Sequence, residues 1–269
     1  MLMEIAKLIG SIGSEKAERK IDALLRSSRS RVDHALKHIR RPEAAAGVVQ
    51  SPLGDLLVAI TGRGIVLNHY LLNDRDLASV ISQLRLKMDL VDDPRAIRTV
   101  GLEIRKYLGG DAAALRQQID LTLAVSLFQK KVLQKLLEVP RGAVVSYQAL
   151  GAAAGAPKGA RAVGNAMHNN PLPIYVPCHR VIASDGGIGG YGGGIARKLQ
   201  LLRSEGFALP QAAVRLPDSF VWGHRQTKIY CRQTCRTAAH VDRSRLMFFA
   251  GGRQAQQAGM RPCKICQPG

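Results

Sequence analysis

Five cysteines divide the chain into two chemistries. Cys178 stands alone in mid-chain and is followed directly by His179 and Arg180. A lone cysteine is usually a small buried hydrophobe. Positive neighbours, however, pull a thiol toward the reactive thiolate. A histidine base and a third, orienting group complete a nucleophilic site. Glu205 is the candidate for that third group. It falls in the last turn of a helix expected over 195–205, the wrong end of the helix dipole for a negative charge. It is therefore either an exposed glutamate or the partner of His179. On residue types alone, a hydrolase and an alkyl acceptor fit equally well.

The other four cysteines, Cys231, Cys235, Cys263 and Cys266, form two close pairs with three and two residues between their members. That is the spacing of a tetrahedral zinc site. Disulfide pairing is the rival, disfavoured in a cytoplasmic chain. His34 and His38 share a helix face but have no third ligand nearby, and they read as surface histidines.

These residues need elements to position them. Val48-Val49, the apolar run 56–60 and Ile65-Val66-Leu67, punctuated by Gly and Pro, predict strands and hairpins. Residues 77–118 read as mostly helical. Phe128, Val132, Leu133, Leu136 and Leu137 make an apolar helical face that stops at Pro140-Arg141-Gly142. Val144-Val145 is extended, and Ser146 is a natural N-cap for a helix opening at Tyr147. That helix ends at Gly155-Ala156, and a second one, rich in small residues, covers 158–168. Two short helices around a Gly-containing turn suggest helix-turn-helix, with Arg161 near the start of the second. Ile174-Tyr175-Val176 reads as a short strand leading into Pro177-Cys178. The glycines of 186–194 match G-x-G-x-x-G, but without a βαβ context they read better as a wall where main chain approaches a flat ligand.

The Pro177-Cys178-His179-Arg180-Val181 signature resembles the active site of the O6-alkylguanine-DNA alkyltransferases, or methylated-DNA–protein-cysteine methyltransferases. Asn170-Pro171, the Pro157–Gly164 stretch, Ser146-Tyr147 and Leu201-Leu202…Glu205-Gly206 fall at matching spacing. The likeness covers roughly 47–206. It implies an α+β chain, with a ribonuclease-H-like N-terminal subdomain (46–120) and a helical winged-helix-like alkyltransferase domain (121–207). In that likeness Cys178 accepts the alkyl group, His179 takes its proton through a water, and Glu205 orients His179. Asn170 braces the turn at the nucleophile. Tyr147 rotates the target phosphate and protonates the departing guanine, and Arg161 fills the gap left by the flipped base. Lys198, Val181, Tyr191 and Gly192 belong to the base site. The transfer needs no cofactor and happens once per molecule, from O6-methylguanine and by extension O4-methylthymine.

Around the four cysteines, Ile229-Tyr230-Cys231-Arg232, Phe248-Phe249 and 258–264 resemble the zinc-binding methylphosphotriester module of Ada-type proteins. This implies a zinc module over 218–269, joined by a linker over 208–217, that touches DNA. In that family the residue matching Cys231 is both Zn2+ ligand and second methyl acceptor. Gln233 stands where the family usually has proline, and no AraC-type DNA-binding domain accompanies the module.

Charge supports DNA as the partner. The 269 residues hold 39 Lys+Arg and 20 Asp+Glu, a net of +19, and such an excess favours polyanions. A basic helical extension over 1–45 and the tail after 207 are the most basic parts. No apolar run approaches a membrane span, and Glu4 and Lys7 interrupt the N-terminal apolar stretch. The expectation is a cytoplasmic, monomeric repair protein acting on alkylated double-stranded DNA. Two rivals are an Ada-like methylation-sensing transcription regulator and a Cys–His hydrolase.

Overall fold

Strands β1 (Glu43–Val49), β2 (Leu56–Thr61) and β3 (Gly64–Tyr70) form an antiparallel meander, as their apolar, β-branched runs require. The description comes from a computed structural model and covers residues 19, 22–28, 41–217, 219–237 and 241–268. Residues 1–42 make a separate unit, within which 22–28 are helical and exposed. Leu25 is exposed, whereas Ile21, Val32, Leu36, Ile39, His34 and His38 lie outside the described residues.

Helix α1 (Asp74–Arg85) starts at Asn73, whose side chain accepts from the Asp76 amide at 3.0 Å. The chain then adds β4 (Asp89–Val91), parallel to β1, giving the sheet order β3-β2-β1-β4. Helix α2 (Pro94–Leu108) begins with proline in its first turn behind the Asp93 cap and packs on this sheet. This is the ribonuclease-H-like subdomain. The three-residue β4, inside a stretch expected to be mostly helical, carries too little pattern to be read alone.

Helix α3 (Leu127–Leu137) buries Val132, Leu133 and Leu136. Strand β5 (Ala143–Ser146) runs into α4 (Tyr147–Ala153), where Ser146 Oγ caps the Ala149 amide at 3.0 Å, as the sequence predicts. Helix α5 (Ala160–His168) opens two residues later than expected, because 156–159 close a turn through Gly159 N–H to Ala156 O at 2.9 Å. Residues 174–176 are not a strand. The Val176 amide turns back to Leu172 O at 2.7 Å, and buried Ile174 has φ 77°, left-handed for a β-branched residue. Such a conformation costs about 1–3 kcal/mol and persists only where its surroundings impose it. A 3-10 turn (Cys178–Arg180) and β6 (Val181–Ile182) follow, then α6 (Ile195–Ser204).

The C-terminal segment is built around a sheet. It consists of strands β7 (Val221–His224), β8 (Ile229–Arg232), β9 (Leu246–Phe249) and β10 (Arg261–Pro262), with helix α7 (Gly252–Gln257). β9 pairs antiparallel with β5, placing Ala143 opposite Phe249 and Val145 opposite Met247. The result is one six-stranded sheet, β10-β8-β7-β9-β5-β6. Within 208–217, expected as a linker, Leu209 and Leu216 are buried and the Leu216 amide bonds Gly186 O at 3.0 Å. One apolar core includes Val49, Val132, Val145, Tyr230 and Phe249, so it runs through all three segments of the 43–269 unit. The physical reason is the edge of β5, a buried apolar strand that needs a partner for its backbone groups.

Candidate active site and zinc site

Cys178 sits at the start of its 3-10 turn, 7% exposed, where two cavities meet. The cavity of about 320 Å³ is lined by Tyr147, Gly164, Met167, His168, Gly190, Tyr191 and Gly192. The other, about 480 Å³, runs toward β3 and includes Asn170, Tyr70, His69 and Arg197. Asn170 spans the strained turn: its Nδ2 donates to Val176 O and its Oδ1 accepts from the Leu172 amide, both at 3.0 Å. From the N-terminal subdomain, buried Asn68 donates through its backbone to Pro171 O at 2.8 Å and through its side chain to Pro173 O. The loop leading to Cys178 is therefore held from both subdomains.

Behind Cys178, the fully buried His179 bonds Glu205 Oε1 through Nε2 at 2.8 Å. Glu205 is not an exposed glutamate; it is 4% exposed at the C-cap of α6. It accepts from Arg180 Nε at 2.9 Å, from Tyr107 Oη at 2.8 Å and from the Gly142 amide at 3.3 Å. Burial pushes the Glu205 carboxyl up, but His179 and Arg180 together outweigh it and hold it well below the usual range. Burial pushes His179 down, with Glu205 opposing. We assign a neutral imidazole whose Nε2–H donates to Glu205, because Arg180 is the permanent counter-ion. Nδ1 has no protein hydrogen-bond partner and is the free base. Burial also raises the Cys178 thiol, while Asn170, Lys198 and Tyr191 pull it back.

Tyr147, Tyr191 and Gly192 line the smaller cavity, and Arg161 is exposed near the start of α5. Lys198 is fully buried and donates to the carbonyls of Val181 and Ile188, both at 2.6 Å, and of Gly190 at 3.2 Å. Burial lowers its pKa to about 8, with Cys178 opposing. Its ammonium ends on carbonyls of the glycine wall and acts on the nearby Cys178 thiol. Val181 is buried in β6 and lines neither cavity. Sequence reasoning missed Tyr107, whose pKa burial and Glu205 raise to about 12, because nothing in a helix 98 residues away marks it as a partner of Glu205. Arg180 gave a signal by adjacency, but its role as the counter-ion of Glu205 needed the fold.

The sulfurs of Cys231, Cys235, Cys263 and Cys266 all lie within 4.8 Å of one another. Four thiolates around Zn2+, each with Zn–S of about 2.3 Å, need S···S of roughly 3.8 Å, and this set fits. Backbone amides of Cys266 and Ile265 lower Cys263 to about 7, whereas burial and its neighbouring cysteines raise Cys231. Such crowding of thiols calls for a cation. Cys231 also lines a cavity of about 560 Å³ with His224 and Arg245.

Fold and site together define a domain with a cavity-lining cysteine beside a buried His–Glu–Arg network, joined to a four-cysteine zinc module. The family described as 6-O-methylguanine DNA methyltransferase, DNA binding domain, matches residues 127–207, and the metal binding domain of Ada matches 208–269. A methylated-DNA–protein-cysteine methyltransferase of Mycobacterium leprae is 36% identical over 157 residues, 58% of this chain and 89% of that protein. The bifunctional transcriptional activator/DNA repair enzyme Ada of Escherichia coli is 40% identical over 157 residues, 57% of this chain and 43% of that protein. The crystal structure of Mycobacterium tuberculosis OGT in complex with DNA superposes with a TM-score of 0.50 at 32% identity, covering 61% of this chain and 92% of that one. The chain belongs to the methylated-DNA–protein-cysteine methyltransferase family, with an Ada-type zinc-binding module at its C-terminal side. It spans between 40% and 43% of the length of the mammalian and E. coli relatives it matches.

Proposed function

We propose that the protein repairs DNA by moving the alkyl group of O6-methylguanine onto Cys178, once per molecule. The observation that carries this is the Cys178 thiol in a glycine-walled cavity, backed by the buried His179–Glu205–Arg180 relay. The base must leave the stack to reach such a site. His179 Nδ1 takes the thiol proton through a water, and Glu205 holds the ring and stabilises the imidazolium. Sulfur attacks the methyl carbon, the S–C bond forms and the C–O bond breaks. Tyr147 supplies a proton to the departing guanine; burial, then Cys178, raises its phenol so that it keeps that proton until needed. The product thioether has no easy leaving group. Arg161, exposed on α5, fills the place of the flipped base, and O4-methylthymine is a second substrate. The protein acts as a monomer on double-stranded DNA. Among the described residues no helix is long and apolar enough to cross a membrane.

In the zinc module, bound Zn2+ would keep its four sulfurs as thiolates. Cys231 lines a cavity bearing Arg245 and His224, and this favours a second reading in which Cys231 accepts methyl from a DNA phosphotriester. Only 43% of the E. coli activator's length is matched, so its activator role is not carried over. The test is incubation with DNA carrying both lesions, followed by peptide mass spectrometry. One methyl on Cys178, lost in Cys178→Ala, is expected. Base-lesion transfer persisting in that variant, or many turnovers per molecule, would overturn the proposal.

A further inference from the structure

The larger cavity holds a second tyrosine that neither the relay nor the family match explains. Tyr70, at the end of β3, meets Tyr191 hydroxyl to hydroxyl at 3.1 Å, with ring centroids 6.2 Å apart and edge-on. Tyr191 in turn lines both cavities at Cys178 together with the thiol. Arg197 of α6 lies over the Tyr70 ring, 4.8 Å from its centre, and its guanidinium is pinned to Leu53 O at 2.6 Å and Gly193 O at 2.8 Å. Gly193 leaves the space in which the rings meet. A Cβ there would lie 2.6 Å from Tyr70 and 2.8 Å from Tyr191.

We propose that Tyr70 is a positioning residue: it donates to the Tyr191 hydroxyl, so that Tyr191 donates to the Cys178 sulfur and stabilises the thiolate. The direction of the bonds follows from the charges. The Arg197 cation over Tyr70 polarises its O–H, making it the better donor, and a phenol that accepts one hydrogen bond donates the next more strongly. Burial keeps both phenols protonated. The other groups acting on Cys178 are Asn170 and Lys198, which also favour the thiolate, while Tyr147 and His168 share its smaller cavity and His179 adjoins it in sequence. The nucleophile is thereby tuned from the ribonuclease-H-like subdomain, at the end of β3.

The inference rests on Cys178 as the nucleophile, but its test needs no alkylated DNA. The rate of Cys178 carbamidomethylation by iodoacetamide, followed by peptide mass spectrometry across pH on the zinc-loaded full chain, reads the thiol pKa directly. Tyr70→Phe keeps the ring and its packing. It is expected to raise that pKa by about 0.3–0.5 unit, two- to threefold less thiolate at fixed pH, the size of one indirect hydrogen bond. Gly193→Ala, which forces the rings apart, is expected to act in the same direction. Tyr191→Phe should raise the pKa further, and Tyr70→Phe should then add nothing. An unchanged pKa in Tyr70→Phe, or a Tyr70→Phe shift that survives in the Tyr191→Phe background, would overturn the proposal. Loss of repair with a normal titration would instead count against the repair reaction alone.

Discussion

Phe249→Ala probes the continuity of the second sheet. Phe249 is fully buried on β9, flanked in register by Ala143 of β5 and Val221 of β7. Removing a buried phenylalanine ring costs about 3–5 kcal/mol. For a domain of this size each kcal/mol lowers the melting temperature by roughly 2–4 °C, so the expected drop is roughly 6–20 °C. If the zinc module were a separate bead, that cost would fall on the module alone. Here β9 is hydrogen-bonded to β5, and Gln254 of α7 packs where a Cβ on Gly142 or Gly206 would lie. The alkyltransferase segment should therefore unfold in the same lowered transition, and amides of 143–145 should lose hydrogen-exchange protection. Differential scanning calorimetry of the zinc-loaded protein decides between the two. A second, unshifted transition belonging to residues 121–207 would refute the shared sheet.

Chelating Zn2+ should lower the same single transition rather than melt only residues 218–268, and a chelator titration followed by calorimetry checks this. Glu205→Gln leaves the Arg180 guanidinium buried without its carboxylate; breaking a buried pair in this way costs about 3–5 kcal/mol, measurable by urea unfolding. Methyl transfer to Cys178 should slow in the same variant, in a single-turnover assay. Stability should fall with acid through His179. Its folded pKa lies below the ordinary value of about 6.5, so the native state binds fewer protons than the unfolded one between those two values. The stabilisation is present above about pH 6.5 and is lost as pH falls through the folded pKa. Glu205, also depressed, adds a second loss below its ordinary carboxylate range. A pH–stability slope unchanged in His179→Gln would refute the assignment of the neutral ring.

Local sequence signals were enough for the parts whose causes are local. Ser146 could be read as a cap because the cap bond spans three residues, and the helical faces of α3 and α6 could be read from their period. Cys178-His179 and the paired cysteines were legible because their chemistry depends on close spacing. Residues 174–176 are not a strand, although their residue types predict one, because the loop is held by Asn170 within it and by Asn68 from β3, and Ile174 is left-handed there.

By itself, then, the amino-acid sequence set one cysteine beside a histidine apart from four cysteines with zinc-site spacing, and marked the family. Tertiary structure alone decided what surrounds them. Tyr107, Arg180 and Glu205 meet across up to 98 residues, and Tyr70 meets Tyr191 across 121. It also paired β9 of the zinc module with β5. The reason is that strand pairing and buried charge compensation are settled by what lies alongside in space. An unpaired edge or an uncompensated guanidinium is costly wherever its partner sits in the chain, and neither partner leaves a mark in the residues next to it.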